Sequence, residues 1–295
     1  MSLHFPCWSS GHRRHPLVVL HGLFGRAANW RPLLAPPPAS TTTVASLCVD
    51  REVHVLDSTH ATHYTYPSLA CVLHAQLDRI FGPASQRGDG KPPVIMGHSM
   101  GGKTAMYSLL AAPRSTYAAA IIVDVAPVSY VGNAWWTVPR VVDAVHRTLP
   151  LLAMDSATVS IADITHALMK DLGGDKRTAQ FLASSIDRAR RAWCVDVHAI
   201  RRDVLSIGDF PFPPLPLPSS SSPRSPSMQE DSLPPVLFIG GANSNHTSAS
   251  YDPVIRKVFP NAEIVRIPSA GHWVHVDQPM LFTEAVRSFL STHSL

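Results

Sequence analysis

The chain has 295 residues, of which 45% are hydrophobic and 16% charged, and a formal net charge of +4. That length buries a substantial core, and that composition excludes a chain disordered throughout. The charge forms no long basic block, which excludes a nucleic-acid signature, and no apolar run reaches the ~20 residues needed to cross a membrane.

Residues 1–15 read as irregular; Arg13 and Arg14 lie here, and the first acid of the chain is Asp50. Such an acid-poor start is a feature of organelle transit peptides. Residues 17–20 form a continuous apolar run, as in a buried parallel strand. The strand leads into His21-Gly22-Leu23-Phe24-Gly25, a loop expected to turn the backbone N–H of Leu23 toward a substrate oxygen. Residues 27–35 predict a helix carrying Trp30, Leu33 and Leu34, stopped by Pro36, Pro37 and Pro38. A Pro/Thr/Ser-rich insertion fills 36–47, and 53–57 is the next strand. Residues 60–66 hold two histidines and two tyrosines; without a third metal ligand they read as a loop at a pocket rim. Residues 67–81 have helical apolar spacing, and a polar loop covers 83–92.

The chain is organised around Gly97-His98-Ser99-Met100-Gly101-Gly102, between an apolar strand run and a helical run. This is G-x-S-x-G in strand–turn–helix context, a nucleophile elbow. Gly97 and Gly101 let strand and helix approach, Ser99 stands at the apex, and the helix start offers the N–H of Met100 to an anion. Residues 118–125 form a strongly apolar strand with Asp124 at its carboxyl end, where ligands gather in parallel sheets.

Residues 128–208 break the strand–helix alternation, and 138–152, 161–172 and 177–191 read as three helices of an inserted cap. Trp135, Trp136 and Trp193 either line an acyl pocket or pack the cap onto the core. The arginines at 188, 190, 191, 201 and 202 read as a solvated helix face. Nine prolines fall within 211–235, a segment that reads as a flexible insertion, bounded at 209–233. The sheet resumes at 236–239 and 262–267, and a helix over 279–290 closes the chain. The core is therefore 16–127 with 234–295. Cys7, Cys48, Cys71 and Cys194 lack C-x-x-C spacing and read as free thiols.

Serine needs a base, and a base needs an acid to hold its tautomer. His272, in the Gly-His loop after the last strand, takes the base position; His98 and His275 read as structural. The loop after residues 236–239 reads Gly240-Gly241-Ala242-Asn243-Ser244-Asn245 and holds no carboxylate. Asp124 is therefore the first choice of acid, Asp252 (read as a helix cap) the second and Asp196 the third. The constellation suits acyl transfer to water, and no metal or organic cofactor is implied.

At these residues the chain resembles the α/β-hydrolase esterases of the alpha/beta-hydrolase domain-containing protein eleven type and their bacterial esterase relatives. The resemblance is carried by His21 to Gly25, Gly97-His98-Ser99-Met100-Gly101-Gly102-Lys103-Thr104-Ala105-Met106, Val123-Asp124-Val125-Ala126-Pro127-Val128 and Ala270-Gly271-His272-Trp273-Val274-His275. It implies an α/β-hydrolase fold, a mostly parallel sheet flanked by helices with an inserted helical cap. It also implies a serine esterase or lipase-like activity, that of a carboxylic ester hydrolase, on small-molecule esters or thioesters of short to medium acyl chains. A mitochondrial location is implied for eukaryotic members, with a cytoplasmic one as the alternative. In the bacterial relatives the aspartate matching Asp124 serves as the acid; for some eukaryotic members a cap aspartate is proposed instead, and its place here is taken by His198. Two departures stand out. An Asp-x-Arg-Asn-His-Gly-x-Ser loop is replaced by Asp57-Ser58-Thr59-His60-Ala61-Thr62-His63, and little chain precedes the first strand for the family's pair of leading strands. Rival readings are a non-catalytic binding protein on the same fold, and an acyltransferase or haloperoxidase-like enzyme with the same three residues. Oligomeric state is not legible.

Overall fold

The computed structural model describes residues 2–5, 14–34, 47, 51–57, 61–83, 90–213 and 233–295. The proline stop at 36–38, most of the two predicted insertions, Cys7, Cys48 and His60 lie outside the described residues.

In chain order the first half holds β1 (Leu3–Phe5), β2 (Leu17–Leu20), α1 (Arg31–Leu34), β3 (Val53–Leu56), α2 (Tyr66–Phe81), β4 (Val94–His98), α3 (Met100–Ala111) and β5 (Ala119–Val123). A helical layer follows: α4 (Val138–Arg147), α5 (Leu149–Ala153), α6 (Ile161–Asp171), α7 (Lys176–Ala183), the strands β6 (Ile186–Asp187) and β7 (Ala192–Trp193), α8 (Val197–Arg202) and α9 (Val204–Gly208). The chain ends with β8 (Val236–Gly241), α10 (Asp252–Val258), β9 (Glu263–Ile267), α11 (Val274–Asp277) and α12 (Pro279–Thr292).

Among the described residues seven strands form one sheet in the order β1-β3-β2-β4-β5-β8-β9. All pairs are parallel except β1 with β3. Successive side chains of a strand face opposite sides, so each strand feeds two cores. Val19, Val55, Met96 and Ile121 pack beneath α12, whereas Val18, Leu56, Ile95 and Ile122 pack against α2, α3 and α10. Strands buried on both faces need continuous apolar runs, which is how β2, β4 and β5 read.

Three expectations are corrected. Residues 1–15 are not irregular throughout: Leu3–Phe5 pairs antiparallel with β3. The helix expected over 138–152 is split at Thr148, whose hydroxyl donates to the Val145 carbonyl, with Pro150 in the first turn of α5. The helix expected over 177–191 ends at Ala183 and gives way to the β6–β7 hairpin. Local side-chain bonds break it: Ser184 Oγ donates to the Phe181 carbonyl, and Asp187 Oδ1 accepts from the N–H groups of Ala189 and Arg190.

The helical layer has its own apolar cluster, with Val145, Ile164, Leu168, Leu182 and Ile200 packed onto Phe24, Tyr66 and Met100 of the sheet side. The arginine group is more engaged than a solvated face. Arg191 donates to the carbonyls of Leu151, Leu152 and Val159, Arg201 pairs with Asp143, and Arg202 pairs with Asp203.

Candidate active site

Ser99 sits between β4 and α3 with φ 55° and ψ −119°. This left-handed backbone costs a non-glycine residue about 1–3 kcal/mol and persists only where its surroundings dictate it. Here they do. A Cβ on Gly97 would lie 2.2 Å from the Gly101 carbonyl oxygen, and one on Gly101 would lie 2.6 Å from the carbonyls of Leu20 and His21. Only glycines allow that approach, and it lifts Ser99 above the carboxyl edge of the sheet.

His272 lies in the loop between β9 and α11. Its Nε2 is 3.2 Å from Ser99 Oγ, and its Nδ1 is 2.7 Å from Asp124 Oδ2. Serine hydroxyl, imidazole and carboxylate thus form one hydrogen-bonded line. Asp124 follows β5 directly, is wholly buried and has φ 49°. Neither rival acid joins this line. The Asp252 carboxylate pairs with Arg266, and Asp252 opens α10 rather than capping it, since the N-cap is Tyr251. Asp196 is the N-cap of α8 and accepts from the Ala199 N–H. His198 packs edge-on against His146, away from these groups.

A buried carboxylate is stable only when its lone pairs are met. Asp124 Oδ1 accepts from the Gly241 N–H at 2.9 Å and from Thr247 Oγ1 at 2.7 Å, while Oδ2 accepts from Ser244 Oγ and His272. The loop after β8, which reads as lacking an acid, is the cradle of the acid from β5. Sequence reading missed Ser244, Thr247 and His246. The available signal was the hydroxyl-rich run Ser244-Asn245-His246-Thr247-Ser248 where a carboxylate was sought.

The His246 ring stacks on His272, centroids 3.9 Å apart. Burial, with His272 and Lys103 adding to it, lowers the His246 pKa to about 2, so this ring stays neutral beside the imidazole. His98 and His275 are also held neutral by burial, His275 down to about 3.

Leu23 and Met100 line the same cavity as Ser99 and His272. Met100 is the first residue of α3, a position whose N–H has no intrahelical acceptor. The loop carrying Leu23 is anchored from beneath: the Ala27 N–H donates to Asp57 Oδ1 at 2.7 Å, and His21 Nε2 lies 3.1 Å from the same oxygen. Asp57, the retained first residue of the departing loop, thereby positions the His-Gly loop.

The cavity encloses about 320 Å³. Trp135 and Trp136 line it, as do Phe181, Val138 and Tyr66 of the predicted rim. Trp193 packs instead inside the helical layer, against Phe24, with its indole N–H donating to Thr148 Oγ1. Lys103, also unexpected here, is buried in α3. Its Nζ donates to the carbonyls of Val128, Gly208 and Asp209 and stands 4.2 Å from the Tyr130 ring centroid. Burial draws its pKa down to about 7 against the raising effect of Asp209. One ammonium therefore ties the elbow helix to both ends of the helical layer.

A model of the alpha/beta hydrolase family matches residues 17–285. The chain belongs to the alpha/beta hydrolase family. Mouse (Mus musculus) sn-1-specific diacylglycerol lipase ABHD11 is 30% identical over 282 residues, covering 93% of this chain and 80% of that protein. Esterase YbfF of Escherichia coli (strain K12) is 28% identical over 286 residues, covering 95% and 94%. The solved structure of a marine microorganism esterase superposes with a TM-score of 0.75 at 25% identity, covering 98% of both chains. The fold is the α/β-hydrolase fold, a mostly parallel sheet flanked by helices. Among the described residues no helix is long and apolar enough to cross a membrane, and Cys71 and Cys194 are free.

Proposed function

We propose that the protein is a carboxylic ester hydrolase in which Ser99 is the nucleophile, His272 the general base and Asp124 the orienting acid. The observation that carries this reading is the unbroken line Ser99 Oγ–His272 Nε2–His272 Nδ1–Asp124 Oδ2 opening into an apolar cavity. The names of the relatives, a lipase and esterases, support it.

Ser99 Oγ attacks the ester carbonyl carbon as its proton passes to His272 Nε2. The N–H groups of Leu23 and Met100 hold the resulting oxyanion. His272 then protonates the leaving alcohol oxygen, the C–O bond breaks, and an acyl-Ser99 ester remains. Water enters, gives its proton to His272 and attacks the acyl carbon; the acid departs as the proton returns to Ser99. Asp124 stays ionised and stabilises the imidazolium. Residues 128–208 act as a cap, with Trp135 and Trp136 walling a site for short to medium acyl chains.

The test is hydrolysis of p-nitrophenyl esters of rising chain length by wild type, Ser99→Ala and Asp124→Asn. The reading predicts wild-type turnover that collapses in both variants. Full activity in Ser99→Ala would overturn it, as would an inert wild type.

A further inference from the structure

His4 of β1 and His54 of β3 are register partners, directly opposite one another across the antiparallel pair. Their rings stack with centroids 4.6 Å apart and planes 16° apart. Glu52 lies two residues before His54, immediately ahead of β3. Its Oε1 is 2.8 Å from His4 Nε2 and 2.8 Å from His54 Nε2. One ligand-capable atom from each of the three residues falls within 4.8 Å of the others.

We propose that His4, Glu52 and His54 form a binding site for a divalent transition-metal ion, zinc in the first instance. Two imidazole nitrogens and a carboxylate oxygen are a donor set that zinc takes at about 2.0–2.2 Å, with a fourth position left to water. Tetrahedral bonds of that length set donors roughly 3.3 Å apart. The ligand atoms lie within 4.8 Å of one another, and binding would turn the exposed His4 ring out of its stack on His54 so that both Nε2 atoms meet one ion. His54 is the fixed member, its side chain only 10% exposed and its ring set against the edge of Phe81 at 5.1 Å. His4 and Glu52 are open to solvent and give the ion its entry path.

Position separates this site from ester chemistry. Glu52 just precedes β3 and His54 stands near its amino end, two places from β4 in the sheet, whereas Ser99 follows the carboxyl end of β4. A bound ion would clip the three-residue edge strand β1 to its neighbour, so its effect falls on stability rather than on turnover.

The experiment is calorimetric titration of the chain, free of any added histidine tag, with zinc chloride. Thermal melts with and without zinc accompany it. The variants are His4→Ala, Glu52→Gln, His54→Ala and His246→Phe. The last addresses the other cluster with ligand spacing, Asp124 with His246 and His272. Expected are about one zinc per chain and a zinc-dependent rise in Tm. Both should persist in His246→Phe and weaken by more than about tenfold in the edge variants. His4→Ala and Glu52→Gln alter exposed side chains and keep the test valid should His54→Ala misfold. Zinc affinity no tighter than millimolar in wild type would overturn the proposal, as would binding that survives all three edge substitutions or disappears in His246→Phe.

Discussion

His98 donates from its Nε2 to the backbone carbonyl of His272 at 2.8 Å, so the residue preceding Ser99 holds the loop of the proposed base. The carbonyl can only accept, which places the ring proton on Nε2. Replacing His98 with Leu removes that bond inside a buried site, a loss of about 1–3 kcal/mol. If it falls on base placement, kcat drops roughly 10- to 100-fold with KM little changed. Steady-state kinetics on one ester check the split; a change confined to KM would contradict it.

Asp124→Asn retains shape but removes the charge that supports an imidazolium. By analogy with other Ser-His-Asp enzymes the expected loss in kcat is about 10⁴-fold. Ser244→Ala removes one of four donors to that carboxylate and costs about tenfold or less. Pre-steady-state bursts of p-nitrophenol distinguish slowed acylation from slowed deacylation in both.

The buried neutral histidines predict acid instability. His98 and His275 have folded-state pKa values far below their unfolded value, and so has His246. A depressed histidine pKa means that the unfolded chain binds more protons, so stability rises with pH. This stabilisation is complete above about pH 6.5 and is lost progressively as pH falls below it. Urea melts from pH 7 to 4 check this; a flat profile would contradict it.

Gly208 predicts pocket shape. A Cβ there would lie 2.4 Å from the Trp136 ring, so Gly208→Ala must displace a wall of the cavity. The preferred acyl chain should change, seen as an altered ranking of kcat/KM along a p-nitrophenyl ester series. An unchanged ranking would place the acyl chain elsewhere.

What the sequence makes legible here is what is local. Gly97, Ser99 and Gly101 are i, i+2 neighbours, and the continuous apolar runs of β2, β4 and β5 mark strands buried on both faces. Other features depend on partners distant in sequence. Ser185, just past the end of α7, bonds the Phe24 carbonyl 161 residues away, so the hairpin that interrupts an expected helix carries no periodic signature. The strand β1 is three residues long, too short for its Leu-His-Phe pattern to stand out. The cradle of Asp124 becomes visible only once β5 and β8 are known to be neighbours. Lys103 looks like one more surface cation on a helix until the helical layer returns over it.

The central claim is that Ser99 is a nucleophile activated by His272. It is tested most directly by incubating the protein with a fluorophosphonate and mapping the adduct by peptide mass spectrometry. We expect one adduct per chain, on Ser99, absent in Ser99→Ala and formed far more slowly in His272→Ala. No adduct, an adduct on another residue, or an undiminished rate in His272→Ala would contradict it.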